Sequence, residues 1–309
     1  MSDQFTNDIP RDGWGRPKIK QPDGKLKAYR RTTKFINVLE DTYNLEKWKL
    51  RQVALGLGQR EDLVLAAASC TQDDKGTLND VAHKAMEHAR SSSKSTTGTA
   101  LHKLCERVDR GEPLGSIPSA FVGDIEAYEK CRDANGLKYK QIETMRVLHD
   151  WQVAGTPDRV GEYQGKYYII DVKTGDITWS EREISMQLGA YSRSTAYTAD
   201  GDQVDGFEID QDRAIVIHLP SGEGKCELHW VDISRGWKAC QLAKEVWDWR
   251  SESGLFVPIS EDDPLIPLAL ACTSVEELRD LWQTAYEEDA IDDAFKVVVK
   301  RRLTELGAA

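Results

Sequence analysis

Apolar positions recur along this chain with two periods, and the switch between them marks its organisation. Across 32–57, Phe35, Val38, Leu39, Leu45, Trp48, Leu50 and Val53 fall near helical spacing and predict a helix. The segments 63–69 and 78–89 predict two more. The polar run 91–97 reads as a loop, with Thr97 or Thr99 placed to cap the next helix. That helix carries Leu101, His102, Leu104 and Val108 and stops at Gly111-Glu112-Pro113; another spans about 121–135. Then 139–149, 152–160 and 167–173 take on strand composition with short connections, the pattern of an antiparallel meander. Residues 180–198 return to helix, with Ser180 and Glu183 at capping-box spacing. Two strands, 214–219 and 227–231, flank a Ser-Gly-Glu-Gly turn, and a Trp-rich helix covers 234–250. A second capping box, Ser274 to Glu277, opens a helix striped by Val275, Leu278, Leu281, Trp282 and Ala285, and a last helix covers 291–306. The expectation is a mixed α/β core over 29–263, an extended or irregular basic arm over 1–28, and an acidic helical hairpin over 264–309.

Composition narrows the class. The chain has 309 residues, 40% hydrophobic and 30% charged, and no apolar run near the ~20 residues of a membrane helix. No apolar signal-peptide core is visible at the N-terminus, so a cytoplasmic location is expected. The six Cys are scattered without metal-ligand spacing and are expected to be reduced. Net charge is −11, yet 11–34 holds nine Lys/Arg against two Asp, and 252–295 holds twelve Asp/Glu against one Arg. Local fields steer a charged ligand more than the total does. Arg16, Lys18, Lys20, Arg30 and Arg31, beside Trp14, have the composition of a phosphate-tracking segment, and a solvated tail accounts for it equally well.

The candidate chemistry lies in 139–191. Asp171 and Lys173, two apart on a strand, leave the same face about 7 Å apart, with Val172 turned into the core. Asp23-Gly24-Lys25 and Asp73-Asp74-Lys75 repeat the spacing in loop-like sequence, so the strand and a partner carboxylate give the signal its value. Asp158, in Gly155-Thr156-Pro157-Asp158, is that partner; a surface pair with Arg159 is the competing account. Together the carboxylates suit a hard divalent cation. Gln187 and Tyr191 lie four apart on one helix face, and Glu143 is a third carboxylate within reach. Trp179, just past the strand, could stack on a base, although nine Trp argue for core packing.

In order, GxxxH (Gly98, His102), GxxD (Gly155, Asp158), DxK (Asp171, Lys173) and QxxxY (Gln187, Tyr191) resemble the PD-(D/E)XK nuclease superfamily, specifically its RecB-nuclease-like branch with CRISPR-associated and phage exonucleases. The likeness is strong over 98–191 and looser over 30–250. It implies a restriction-endonuclease-like core, a central mixed sheet flanked by helices. It implies metal ligation by His102, Asp158 and Asp171, with Lys173 acting on the attacking water and Gln187 and Tyr191 in support. The expected cation is Mg2+ or Mn2+, two per site, with Val172 added to the metal set and Glu143 as a further carboxylate that could reach the metal or orient a neighbour. The implied function is exonucleolytic hydrolysis of DNA from its ends in recombination or repair, by a metal-activated water. A structure-specific endonuclease or nickase, and a catalytically silent DNA-binding module, are the alternatives. Partners on this reading are DNA, a recombination or single-strand-annealing protein, and further copies of the chain, in the cytoplasm of a bacterial host if phage-encoded. Relatives with an iron–sulfur cluster hold it by a clustered Cys trio; Cys226, Cys240 and Cys272 are 14 and 32 residues apart, so no cluster is expected. No GxxxxGK[ST] stretch is present, so no helicase motor is expected in this chain.

Overall fold

In the computed structural model, which describes residues 9–89, 94–253, 255 and 264–307, the strand-like stretches assemble into two mixed sheets with helices against them. The chain divides into two units, Met1–Lys244 and Glu245–Ala309. The first unit begins with a hairpin, β1 (Lys18–Lys20) and β2 (Leu26–Ala28), then β3 (Arg30–Arg31) and α1 (Thr32–Ile36). Helices α2 (Tyr43–Gly58), α3 (Glu61–Ala68), α4 (Lys75–Ala89), α5 (Lys94–Asp109) and α6 (Ser119–Ala134) follow. Five strands come next: β4 (Lys138–Ile142), β5 (Arg146–Leu148), β6 (Val153–Gly155), β7 (Arg159–Tyr163) and β8 (Lys166–Lys173). Then come α7 (Glu181–Ser192), β9 (Thr195–Thr198), β10 (Gly201–Gln203), β11 (Arg213–His218), β12 (Glu227–Asp232) and α8 (Ile233–Trp249).

One sheet has the order β12-β11-β8-β7-β4, antiparallel except for the parallel β8/β11 pair. The other runs β10-β9-β5-β6-β3, with β3/β6 parallel. The stretches 139–149 and 152–160, each read from the sequence as a single strand, are each divided between these sheets. The chain leaves one sheet after Ile142 and the other after Gly155, so Glu143 to Met145 and Thr156 to Asp158 are crossings. Strand composition continues through Glu143 to Met145, which is why pattern alone does not separate the first pair of halves; at the second, Gly155, Pro157 and Asp158 mark the break.

Strand β8 shows how burial sorts the faces. Tyr168, Ile170 and Val172 join Ile215 and Ile217 beneath Leu101, Cys105, Ile125 and Tyr128 of α5 and α6. Ile169 faces the other way, with Val160, Val216 and the α7 residues Ile184, Leu188 and Tyr191. Strand alternation then places Asp171 and Lys173 on the α7 side.

Several helix boundaries differ from the periodicity. The helix expected over 32–57 is interrupted by a 3-10 turn at Asn37–Leu39 and an extended Glu40, because its halves pack on different partners: α1 on β6 and α7, α2 on α3 and α4. Thr97 and Thr99 lie inside α5 rather than capping it; the expected loop residues 91–93 fall outside the described residues. Ser180 makes no capping bond; its hydroxyl donates to the Ile177 carbonyl instead. Helix α7 ends at Ser192, and part of the expected helical tail becomes β9. Residues 18–28, read as an extended or irregular lead-in, form the β1/β2 hairpin, and buried Ile19 and Tyr29 pack with Met145, Val147 and Tyr197.

The second unit contains α9 (Leu265–Ala271), α10 (Val275–Glu287) and α11 (Asp293–Glu305) around Leu265, Ala269, Leu278, Ala285, Phe295 and Val298. Ser274 caps α10 by accepting the Glu277 N–H at 3.1 Å, while the Glu277 carboxylate accepts the Thr273 N–H at 2.6 Å. Asp292 caps α11 through the Phe295 N–H at 2.7 Å. Among the described residues no helix is long and apolar enough to cross a membrane.

A buried ion pair fastens α5 to β7. Arg159 and Asp109 have side chains 0% exposed and meet at 2.8 Å. Asp109 also accepts from the Tyr128 hydroxyl at 2.7 Å and from Arg132 at 3.3 Å. Removing one charge strands its partner in the interior, a cost of about 3–5 kcal/mol. Asp109→Ala should therefore lose stability of about that size in urea denaturation followed by circular dichroism, and the double change Asp109→Leu with Arg159→Met should recover much of it. A loss below about 1 kcal/mol in the single variant contradicts this account.

Candidate functional site

The site forms where the 156–158 crossing meets the C-terminal end of β8 and one face of α5. Asp158, partly buried, accepts the Val172 N–H through Oδ2 at 2.8 Å. The His102 Nδ1 lies 3.3 Å from the same oxygen. A hydrogen bond from the Glu143 N–H to the Asp158 carbonyl, 2.9 Å, joins the two crossings. Asp171 is buried, and its Oδ2 lies 2.8 Å from the Lys173 ammonium. That ion pair is the contact this oxygen makes among the described residues.

Two glycines allow the close packing behind this arrangement. A Cβ on Gly98 would come 2.7 Å from Thr174 Oγ1, so the glycine lets α5 approach the end of β8, and His102 follows one turn later. A Cβ on Gly155 would meet Thr32 Oγ1 at 2.6 Å and the Tyr191 hydroxyl at 2.8 Å. Tyr191 is thereby seated under the crossing, where Gln187 Nε2 donates to its hydroxyl at 3.4 Å. Burial pushes the Tyr191 phenol up, and the charges of Asp171 and Asp158 add to that, so it is a neutral donor.

The electrostatics separate the two aspartates. Burial would raise Asp158, but the His102 contact, Arg159 and the Val172 N–H outweigh it and hold the carboxyl below its usual range. Asp171 is raised to about 6, by burial first and then by the charge of Asp158, with Lys173 opposing. For Lys173, burial is outweighed by Asp171 and Asp158, so its pKa is raised and it is an ammonium at neutral pH. His102 is also raised, since Asp158 and Asp171 outweigh the effect of its burial. Glu143 has a left-handed φ of 51°, a conformation costing of order 1–3 kcal/mol in a non-glycine residue. Its carboxyl is raised to about 7, by burial and then by Asp158 and Glu106.

As placed, no group of three His, Cys, Asp or Glu side chains among the described residues is gathered tightly enough to hold a metal ion. The chemistry of the donors nevertheless suits a hard cation: two carboxylates, one of them buried, converge with an imidazole. Lys173 supplies positive charge beside them. The Val172 side chain is in the core and its N–H is spent on Asp158, leaving its carbonyl as the group a metal could use.

The structure brings together Glu143, Asp158, Asp171, Lys173 and His102, with Tyr191 and Gln187 behind them. Arg31 immediately precedes Thr32, on a strand paired with the one that leads into the crossing. Trp179 is 92% exposed in the β8–α7 connection. Lys18 and Lys20 lie on β1, and Arg30 on β3. Arg16 is engaged by Asp12 at 2.7 Å and lies 4.9 Å over the Trp14 ring. Sequence reasoning missed Thr32 and the Asp109–Arg159 pair. Arg159 does not form a surface pair with Asp158: it is buried on Asp109, with Nη1 4.0 Å from Asp158 Oδ2. The available signal was the spacing of His102, Cys105 and Asp109, which share one face of α5.

No family model matches the chain, and no curated protein matches it. Among solved structures, that of SSO0001 is similar over 48% of this chain and 72% of its own, at 11% identity and a TM-score of 0.23. A likeness that distant carries no argument.

The raised carboxyl of Glu143 makes the metal-free protein sensitive to pH. A carboxyl whose folded pKa exceeds its unfolded value stabilises the fold when protonated, and that contribution is lost as pH rises through the folded value. For Glu143 the window runs from 4.5 to about 7. Glu143→Gln should raise the melting temperature above that window, by up to about 3 kcal/mol of stability, and the gain should vanish below it. Melts with chelator present check this; a gain that does not change with pH refutes it.

Proposed function

We propose that the chain is a divalent-metal-dependent DNA exonuclease of the PD-(D/E)XK type, in the RecB-nuclease-like branch, acting on DNA ends in recombination or repair. The observation that carries this reading is the convergence of Asp158, Asp171, Lys173 and His102, from a sheet crossing, one strand and one helix, with the buried Asp171 carboxylate against Lys173 and the Asp158 carboxylate against His102. The mixed sheet flanked by helices is compatible with the restriction-endonuclease-like core of that superfamily.

Mg2+ or Mn2+ held by Asp158, Asp171, His102 and the Val172 carbonyl would neutralise phosphate charge and acidify a water. The protein's own groups divide the remaining work. Lys173, an ammonium, orients a phosphate oxygen or the attacking water and stabilises developing negative charge. It is a poor proton acceptor in that state. Glu143, a third carboxylate joined to Asp158 through its N–H and with no side-chain hydrogen-bond or ion-pair partner among the described residues, is the group that would receive the water's proton. Tyr191 and Gln187 keep the 155–158 backbone in place from behind. Trp179 and Arg31, both exposed, would meet the strand being cut.

Pure protein with Mg2+ or Mn2+ should release nucleotides from end-labelled linear duplex and leave closed circles intact. Asp171→Ala and Lys173→Ala should each lower the rate by at least about 100-fold. Cleavage of closed circles would replace the exonuclease with an endonuclease. No nucleotide release with either metal would refute the enzyme altogether.

A further inference from the structure

The second unit holds a groove of about 430 Å³ between α10 and α11. Its floor is apolar: Leu278 and Trp282 from one helix, Val299 and Leu303 from the other. Its rim is cationic, with Arg279 on one side and Lys296 and Lys300 on the other. Helical spacing explains the layout, since 278, 279 and 282 share one face of α10, and 296, 299, 300 and 303 share one face of α11.

The charge of this rim opposes that of the segment carrying it. Residues 245–309 contain fifteen Asp/Glu and six Lys/Arg. Three of those six cations line the groove and no carboxylate does; Gln283 is its remaining lining residue. Lys296 is shared with Asp293 at 2.8 Å, but neither Arg279 nor Lys300 pairs with a carboxylate among the described residues. An apolar floor of this volume lies within the usual range for a ligand site, roughly 300–1,000 Å³. Two unpaired cations at its edges select for an anionic occupant.

We propose that this groove docks a short acidic segment of a partner protein, one that inserts a bulky apolar side chain between α10 and α11 and sets its carboxylates against Arg279 and Lys300. Charge complementarity and the helix-groove geometry carry the proposal, which does not depend on the nuclease reading. Within this unit the acidic surroundings sharpen selectivity, because they repel an acidic segment away from the rim.

The test uses the full chain and a short fluorescein-labelled peptide of Asp and Glu carrying one Phe and one Leu. Fluorescence anisotropy should show saturable binding that weakens as salt is raised. Versions with Lys for every acid, or with Ser for Phe and Leu, should not bind. The double variant Arg279→Glu with Lys300→Glu should weaken binding roughly tenfold or more while leaving the thermal melt unchanged, since both side chains are exposed. Absence of binding, equal binding of the lysine peptide, or undiminished affinity in the double variant overturns the proposal. So does light scattering that shows a dimer which the double variant dissociates, because the groove would then be an interface between copies of this chain.

Discussion

At Glu143–Met145 and Thr156–Asp158 the chain leaves one sheet for the other and gives up ladder pairing, and a buried main-chain group left unpaired there is costly. The Glu143 N–H answers part of that cost by donating to the Asp158 carbonyl at 2.9 Å, and the Asp158 carboxylate answers another part by accepting the Val172 N–H at 2.8 Å. These two bonds fix the spacing between the crossings and β8. The left-handed φ of Glu143 follows, since the chain must turn out of β4 while keeping its N–H aimed at Asp158. The separation of the carboxylates is thus set by backbone hydrogen bonds rather than by flexible side chains.

The second dependence is electrostatic. Asp158 sits between the His102 imidazole at 3.3 Å and the Arg159 guanidinium at 4.0 Å, and its carboxyl is held below the usual range. Its charge then falls on Asp171 and Glu143, which lie in less favourable surroundings and are raised. The Arg159–Asp109 pair underneath is what makes this asymmetry possible. Arg159 is anchored on Asp109 and leaves Nη1 and Nη2 without hydrogen-bond partners among the described residues, so their charge is available to the site. A site whose carboxyl groups differ in this way can hold one as an anion while another exchanges protons near neutrality.

The legible parts of the sequence were those where one local signal determined the outcome. The alternation of β8 placed Asp171 and Lys173 on one face because strands have a strict period of two, and the Ser274 cap formed because its partner is three residues away. What stayed hidden depended on distant chain. Residues 139–149 look continuous because a change of sheet requires no Gly or Pro, only the bond from Glu143 to Asp158 across the fold. Ser180 has the spacing of a cap, but its hydroxyl finds the Ile177 carbonyl, a competition sequence cannot rank. Ile19 becomes core only because Met145, Val147 and Tyr197 arrive from elsewhere. Within the site, His102 was legible through its order with the later motifs, whereas Thr32 shows its place only once Gly155 and Tyr191 are seen to close on it.

The division of labour proposed for Lys173 and Glu143 is where geometry adds most to a reading from motif order alone. Motif order leaves Lys173 free to be either an electrostatic anchor or a proton acceptor. With Asp171 at 2.8 Å and Asp158 nearby, deprotonating it would leave two buried carboxylates less compensated, so the ammonium is the favoured state. On that proposal the proton acceptor comes from a group whose neighbours resist its ionisation, and Glu143 meets that condition through burial and the repulsion of Asp158 and Glu106. An added cation would relieve that repulsion, and Glu143 would then fall back towards the usual carboxylate range. The proton affinity of Glu143 and the charge of whatever occupies the neighbouring carboxylates are therefore linked, and neither is a fixed property of the residue.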